Sequence, residues 1–138
     1  MKLHQKEVRL EPRGAGLHDV TAEVRGVVQR SGVRTGTCNV FVQHTSASLV
    51  VQENADPAVR RDLQRFLERI APEDFPYEHD TEGEDDMPAH IRSALTRTAE
   101  TLPVIEGALG LGTWQAIYLW EHRRAPHRRT LVITVCGQ

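Results

Sequence analysis

Residues 113 to 121, TWQAIYLWE, leave an extended chain no side to turn toward water. Alternate side chains of a strand share a face. Thr113, Gln115, Ile117, Leu119 and Glu121 fall on one, and Trp114, Ala116, Tyr118 and Trp120 on the other. Both faces are largely apolar, so the strand needs cover on both, inside a layered domain or against another subunit. Core packing is the ordinary fate of Trp114, with ligand stacking the alternative. Thr113 and Gln115 start a face expected to be buried, and so require a partner: backbone, water or ligand.

The rest of the chain supplies layers. Residues 3 to 11 alternate as a first strand. A helix is expected next, with Asp19 as its cap and Leu17, Val20, Val24, Val27 and Val28 on its buried face. From Thr37 to Glu53 two β-rich runs flank the polar TSAS, which predicts a hairpin or a sharply bent strand. Asp56 and Pro57 open a second helix whose apolar stripe is Val59, Leu63, Phe66, Leu67 and Ile70. A short third helix begins near Pro88 and carries Ile91, Ala94 and Leu95 inward. The last third reads as strands, with RRAPHR turning a long hairpin. Helices interspersed with β runs predict a single α+β domain over residues 1–138, with a largely antiparallel sheet.

A net charge of -2 gives no global pull toward nucleic acid or an anionic membrane. No apolar run approaches the roughly 20 residues of a membrane span, and the N-terminus lacks a secretory signal, so a cytoplasmic protein acting on a small molecule is expected. Cys38 and Cys136 form no CxxC pair and read as buried, reduced thiols.

The chemistry concentrates in PYEHDTEGEDDMPAHI, residues 76 to 91, with six carboxylates and two histidines. If a helix starts near Pro88, His90 lies in its first turn and leans back toward the acidic loop and His79. His44 ends the apolar face of a core strand and is the natural third ligand. Three imidazoles plus water is a recognised open metal site, suited to zinc or a similar divalent ion. Asp80, Glu84, Asp85 and Asp86 are then acceptors for those imidazoles or for a proton. The opposing reading is a solvated acidic loop, which Glu78, Glu82 and Glu84 fit. HRRAPHRR, residues 122 to 129, is a phosphate-binding lobe or a solubilising hairpin tip, and His122 is a further ligand candidate. Glu53 and Asn54 end a strand where sites are common.

HTSASL at 44 to 49, ENADP at 53 to 57, DDMPAHI at 85 to 91 and LGTWQAIYL at 111 to 119 together resemble the YjbQ family, also called the secondary thiamine-phosphate synthase family. The resemblance implies an α+β sandwich that assembles as a homotrimer, a metal-associated site near subunit contacts, and a weak thiamine-phosphate synthase activity. The matching polar positions are His44, Glu53, Asn54, Asp56, His79, Asp86, His90, Thr113, Trp114 and Gln115.

The resulting expectation is a metal-associated enzyme of phosphorylated pyrimidine and thiazole precursors. His44, His79 and His90 hold a divalent ion, zinc-like or magnesium. Asp86, Glu53 and Gln115 serve catalysis, and Asn54, Thr113 and Trp114 bind substrate. Imidazole ligands fit hydrolysis at least as well as diphosphate departure, which usually uses magnesium on oxygen ligands. The alternatives are therefore a metal-dependent hydrolase of phosphate esters or other small molecules, and a non-catalytic trimer that binds a metabolite or metal.

Overall fold

The alternation in residues 2 to 10 and the apolar run LVITVC pair as antiparallel neighbours, and this pair seeds the larger of two sheets. The computed structural model describes residues 1–138. Strands β1 (Lys2–Leu10), β3 (Thr35–Val42), β5 (Ala99–Ile105), β6 (Ala108–Leu109) and β8 (Arg129–Gly137) form a five-stranded sheet ordered β1-β8-β3-β5-β6. Strands β2 (Gly16–Asp19), β4 (Ala47–Glu53) and β7 (Gln115–Glu121) form a three-stranded sheet ordered β2-β7-β4. The strand pairs within both sheets are antiparallel, as expected for an α+β sandwich. Helices α1 (Thr21–Ser31), α2 (Pro57–Ile70) and α3 (Asp86–Leu95) complete the chain.

The two-sided strand is β7. Ile117 and Leu119 face the main core, with Leu49 of β4, Val40 of β3, Ile133 of β8 and Val24 of α1. Tyr118 and Trp120 are buried on the other side and reach α2. Trp120 Nε1 donates to Gln64 Oε1 at 2.7 Å, and the Arg60 guanidinium lies 5.5 Å from the centre of the Tyr118 ring. Cover on both faces thus comes from the same chain.

Several expectations give way to tertiary geometry. Leu17 belongs to β2 rather than a helix, and α1 starts at Thr21, whose N–H is accepted by Asp19 Oδ1 at 2.9 Å. The TSAS stretch turns no hairpin, because β3 and β4 lie in different sheets. The same is true of β7 and β8, so residues 122 to 128 cross between sheets. Asp56 caps α2 through the Ala58 N–H, yet only Leu67 of its apolar stripe is buried, while Phe66 stays 66% and Ile70 48% exposed. Helix α3 starts two residues before Pro88 and turns a polar side inward, leaving Ala94 and Leu95 exposed. Its Arg92 donates to the Ala71 carbonyl at 2.7 Å and its Ser93 to the Ala47 carbonyl at 2.8 Å. Both cysteines are free; Cys38 is buried, which pushes its thiol up to about 11, whereas Cys136 is half-buried.

The two crossings lie side by side and are joined by buried polar groups. Glu121, wholly buried at the end of β7, accepts with both carboxylate oxygens from Nε and Nη2 of Arg129 at the start of β8. Arg129 Nη2 also donates to the Ser46 carbonyl at 3.2 Å, and Thr130 N–H donates to His44 Nε2 at 2.8 Å. Removing one partner leaves an unpaired buried charge. Arg129→Met is expected to destabilise the fold by about 3–5 kcal/mol, and Glu121→Leu added to it should recover most of that, as read by denaturant unfolding.

His122 is buried beside this clamp. Its Nε2 lies 2.8 Å from Ser48 Oγ, which lies 2.6 Å from Thr96 Oγ1. Burial, reinforced by the charges of Arg92 and Arg129, pushes the imidazole down from 6.5 to about 3. The unfolded chain therefore takes up a proton at this ring as pH falls below 6.5, and the folded chain does not until about 3. Stability from His122 is complete above pH 6.5 and lost as pH falls through that window, at about 1.4 kcal/mol per pH unit. Unfolding measured from pH 6.5 to 4.5 should be shallower in His122→Gln by about that slope.

Candidate metal centre

Helix α3 places Asp86 and His90 four residues apart on one face, and the acidic loop folds His79 over them. Asp86 is only 3% exposed. Its Oδ2 lies 2.7 Å from His79 Nε2 and 3.2 Å from His90 Nε2, and its Oδ1 accepts from Arg123 Nη1 at 2.7 Å. Glu82 Oε2 lies 3.0 Å from His79 Nε2. One donor atom from each of His79, Glu82, Asp86 and His90 falls within 4.8 Å of the others.

The hydrogen bonds of His90 bear on what this cluster can hold. Its Nδ1 lies 3.0 Å from the Thr45 carbonyl oxygen, which only accepts, so Nδ1 carries the hydrogen. In a neutral ring, Nε2 would then present a lone pair to a carboxylate oxygen. Two acceptors hold this contact only with a proton or a cation between them. A carbonyl that sets the tautomer while the other nitrogen faces a carboxylate and a second imidazole is the arrangement found around metal-bound histidines. The residues fit a divalent ion on this ground.

The surrounding charges are consistent with that fit. The hydrogen bond it donates to Asp86 raises the His79 imidazole above its ordinary value, with the Glu82 charge adding to it. Burial alone would raise the Asp86 carboxyl; the His79 hydrogen bond and the Arg123 charge hold it below its ordinary value. Asp85 is likewise lowered against the effect of burial, by the Arg124 N–H and the Arg123 guanidinium. Arg123 spans the loop, donating to the Glu82 carbonyl at 2.9 Å and lying 3.3 Å from Asp85 Oδ1.

His79, Asp86 and His90 are thus brought together, and His44 is not among them. His44 Nε2 accepts the Thr130 N–H, which removes that nitrogen as a ligand, and burial together with the Arg129 charge lowers its pKa. It lines, with His90, Thr45, Ser93 and Thr98, a cleft of about 510 Å³. Glu82, assigned by sequence to the solvated loop, takes the place in the cluster expected of His44. Asp80, Glu78 and Glu84 remain exposed. His122 is not in this cluster; it is buried with its Nε2 on Ser48. The arginines form no free lobe: Arg123, Arg124, Arg128 and Arg129 each meet a carboxylate. The structural role of Arg123 had no signature in the sequence beyond its place next to a buried strand end.

The remaining expected site residues gather at the other end of the small sheet, where Glu53 is in register with Gln115 while Ala47 is in register with Glu121. Six strand steps separate the two ends, about 20 Å. Glu53 accepts the N–H groups of Ala55 and Asp56 at 2.9 and 2.8 Å, and Asn54 Nδ2 reaches the Thr113 and Gln115 carbonyls at 3.3 and 3.4 Å. Gln115 Oε1 accepts from Gly112 N–H at 2.8 Å. Their polar groups hold the corner together. Thr113, Trp114 and Gln115 are exposed rather than buried, since β7 begins only at Gln115; Trp114 is 64% exposed.

Comparison with known proteins agrees with this architecture. A family model described as UPF0047 protein YjbQ-like matches residues 6–138. UPF0047 protein sll1880 of Synechocystis is 54% identical over 136 residues, covering 98% of this chain and 92% of that protein. UPF0047 protein YjbQ of Escherichia coli O157:H7 is 43% identical, covering 98% and 99%. Among solved structures, a YbjQ-like protein of unknown function from Sulfolobus solfataricus superposes with a TM-score of 0.91 at 25% identity, covering 99% of each chain. A YjbQ/UPF0047 family protein from Clostridium acetobutylicum gives 0.88 at 34% identity, covering 95% of this chain and 99% of that one. With matched motifs, fold and sequence in agreement along nearly its whole length, the chain belongs to the YjbQ/UPF0047 family.

Proposed function

We propose that this protein is a metal-dependent hydrolase of small phosphorylated molecules, with its ion held by His79, Asp86 and His90 and with Glu82 at the exposed edge. The observation that carries the reading is the approach of His90 Nε2 to Asp86 Oδ2 at 3.2 Å beside His79, with His90 Nδ1 turned to the Thr45 carbonyl. Two imidazoles and one carboxylate suit zinc or another borderline ion better than magnesium. The ion would polarise a phosphoryl oxygen and acidify a water. Thr45 holds the His90 tautomer, and Arg123 occupies the inner oxygen of Asp86 so that the outer one keeps its direction. Glu82, 62% exposed, is placed to take the proton of the attacking water. The cleft beside His90 would take the substrate, with His44 on its wall. The substrate class rests on the family resemblance.

Thiamine-phosphate synthesis is the second reading. The Asp86 carboxylate in the donor set, with Glu82 beside it, favours it, because oxygen ligands accept magnesium as an all-imidazole site would not. Against it stands Trp114, the expected wall for the heterocycle, at the far end of β7. A homotrimer, which the resemblance implies, is supported by exposed Phe66 and Ile70 on α2.

Three outcomes follow for untagged protein. Zinc titration against a chromophoric chelator should give one site per chain, weakened at least about tenfold in His79→Ala, Asp86→Asn and His90→Ala and unchanged in His44→Ala. Stoichiometric metal in all of the first three would defeat the assignment, and loss in His44→Ala would restore the three-histidine site. Turnover of a phosphate-ester panel, absent in His90→Ala, supports hydrolysis, whereas turnover of thiamine precursors alone selects the second reading. Sedimentation should give a mass of three chains, with Phe66→Glu shifting it toward one; a wild-type monomer at micromolar concentration removes the trimer.

A further inference from the structure

On the other side of Asp85 from the histidine cluster lies a second polar cavity, of about 470 Å³. That size is in the range of small-ligand pockets, roughly 300–1,000 Å³. Its inner wall carries two buried groups with unmet hydrogen-bonding atoms. His122 is 1% exposed, and with Ser48 on its Nε2 its Nδ1 has no partner. Arg92 is 6% exposed; one Nη donates to the Ala71 carbonyl, and its Nε has no partner. Orphaned polar atoms this well buried are rare, and two on one cavity wall point to a missing occupant.

The charges around the cavity narrow what that occupant is. Arg124 answers Glu73, and Asp85 accepts the Arg124 N–H and faces Arg123. These four groups are committed to one another. What remains is one cation deep inside, Arg92, and two carboxylates at the exposed rim, Glu68 and Asp74. Glu68 accepts one bond from Gln64, and Asp74 accepts none. Arg92 is buried and forms no ion pair with a carboxylate, so an anion beside it would relieve a desolvated charge. A simple anion would have to sit behind two rim carboxylates, and a simple amine would leave Arg92 unmet.

We propose that this cavity binds a small zwitterion, with its carboxylate or phosphate end on Arg92 and His122 and its ammonium end between Glu68 and Asp74. The site is independent of the metal centre and uses none of its ligands.

Isothermal titration of the intact protein, with and without added zinc, tests it. The probes are β-alanine and phosphoethanolamine, with acetate, inorganic phosphate and ethylamine as their half-molecules. The expected result is saturable binding of one zwitterion per chain, at least about tenfold tighter than its own halves. The rim variant Glu68→Gln/Asp74→Asn, altered only at exposed positions, should lose most of that margin while its unfolding temperature is unchanged. Arg92→Gln should bind neither zwitterion; if it fails to fold, the rim variant still decides. Absence of saturable heat with both zwitterions, or equal binding by a half-molecule, overturns the proposal and leaves a water-filled cavity or a simple ion site. A rim variant that binds as wild type does so too.

Discussion

The ion pair between Glu121 and Arg129 is the constraint on which the rest of the molecule depends. It lies where the chain leaves one sheet and enters the other, and Arg129 also holds the Ser46 carbonyl of the second crossing. A buried charge pair is a poor source of net stability, because desolvation of both groups offsets most of their attraction. It is an effective specifier of geometry, since any other arrangement of the crossings leaves one charge alone in the interior. With the crossings pinned, Glu121 also accepts the Arg123 N–H at 3.2 Å, and the next residues follow in fixed directions. His122 turns inward to Ser48, and Arg123 turns to the loop that carries His79.

The candidate metal centre is therefore assembled from three parts of the chain that have no local reason to meet. The acidic loop brings His79 and Glu82, α3 brings Asp86 and His90, and the crossing between β7 and β8 brings Arg123. Asp86 joins them, with one oxygen toward the histidines and the other toward the arginine. Arg123 offsets the repulsion among Glu82, Asp85 and Asp86, without which the loop would open toward solvent. The thiamine reading must also account for a single chain that separates this pole from the Trp114 corner by about 20 Å.

Much of the architecture was legible from local pattern. The apolar residues on both sides of β7, the Asp56–Pro57 start of α2 and the alternation of β1 each follow from rules that span a few residues. So did the convergence of His79 and His90 near Asp86, because a helix start near Pro88 fixes the direction of His90. What was not legible were the partners of charged groups. His44 was read as a ligand because a polar group at the end of an apolar face needs a partner, and the need was real. Its partner is the Thr130 N–H, a backbone group 86 residues away. The inward side of α3 escapes local pattern for the same reason: buried Arg92 and half-buried Ser93 donate to carbonyls of distant segments, so a pattern of apolar residues could not reveal that face.

The sequence by itself determined the family, the three helices and most of the strands with their approximate limits, and the residues able to bind a metal or move a proton. Periodicity, capping and side-chain chemistry are properties of neighbouring residues, and they survive without the fold. Only the tertiary structure decided that β3 and β4, and again β7 and β8, part into different sheets, because a connection of either kind has the same local composition. It also decided that Glu82 rather than His44 stands beside His79, Asp86 and His90, and that His122 faces a cavity. Those outcomes depend on which distant donor reaches each acceptor once the two crossings are clamped, and no stretch of the chain contains both halves of such a bond.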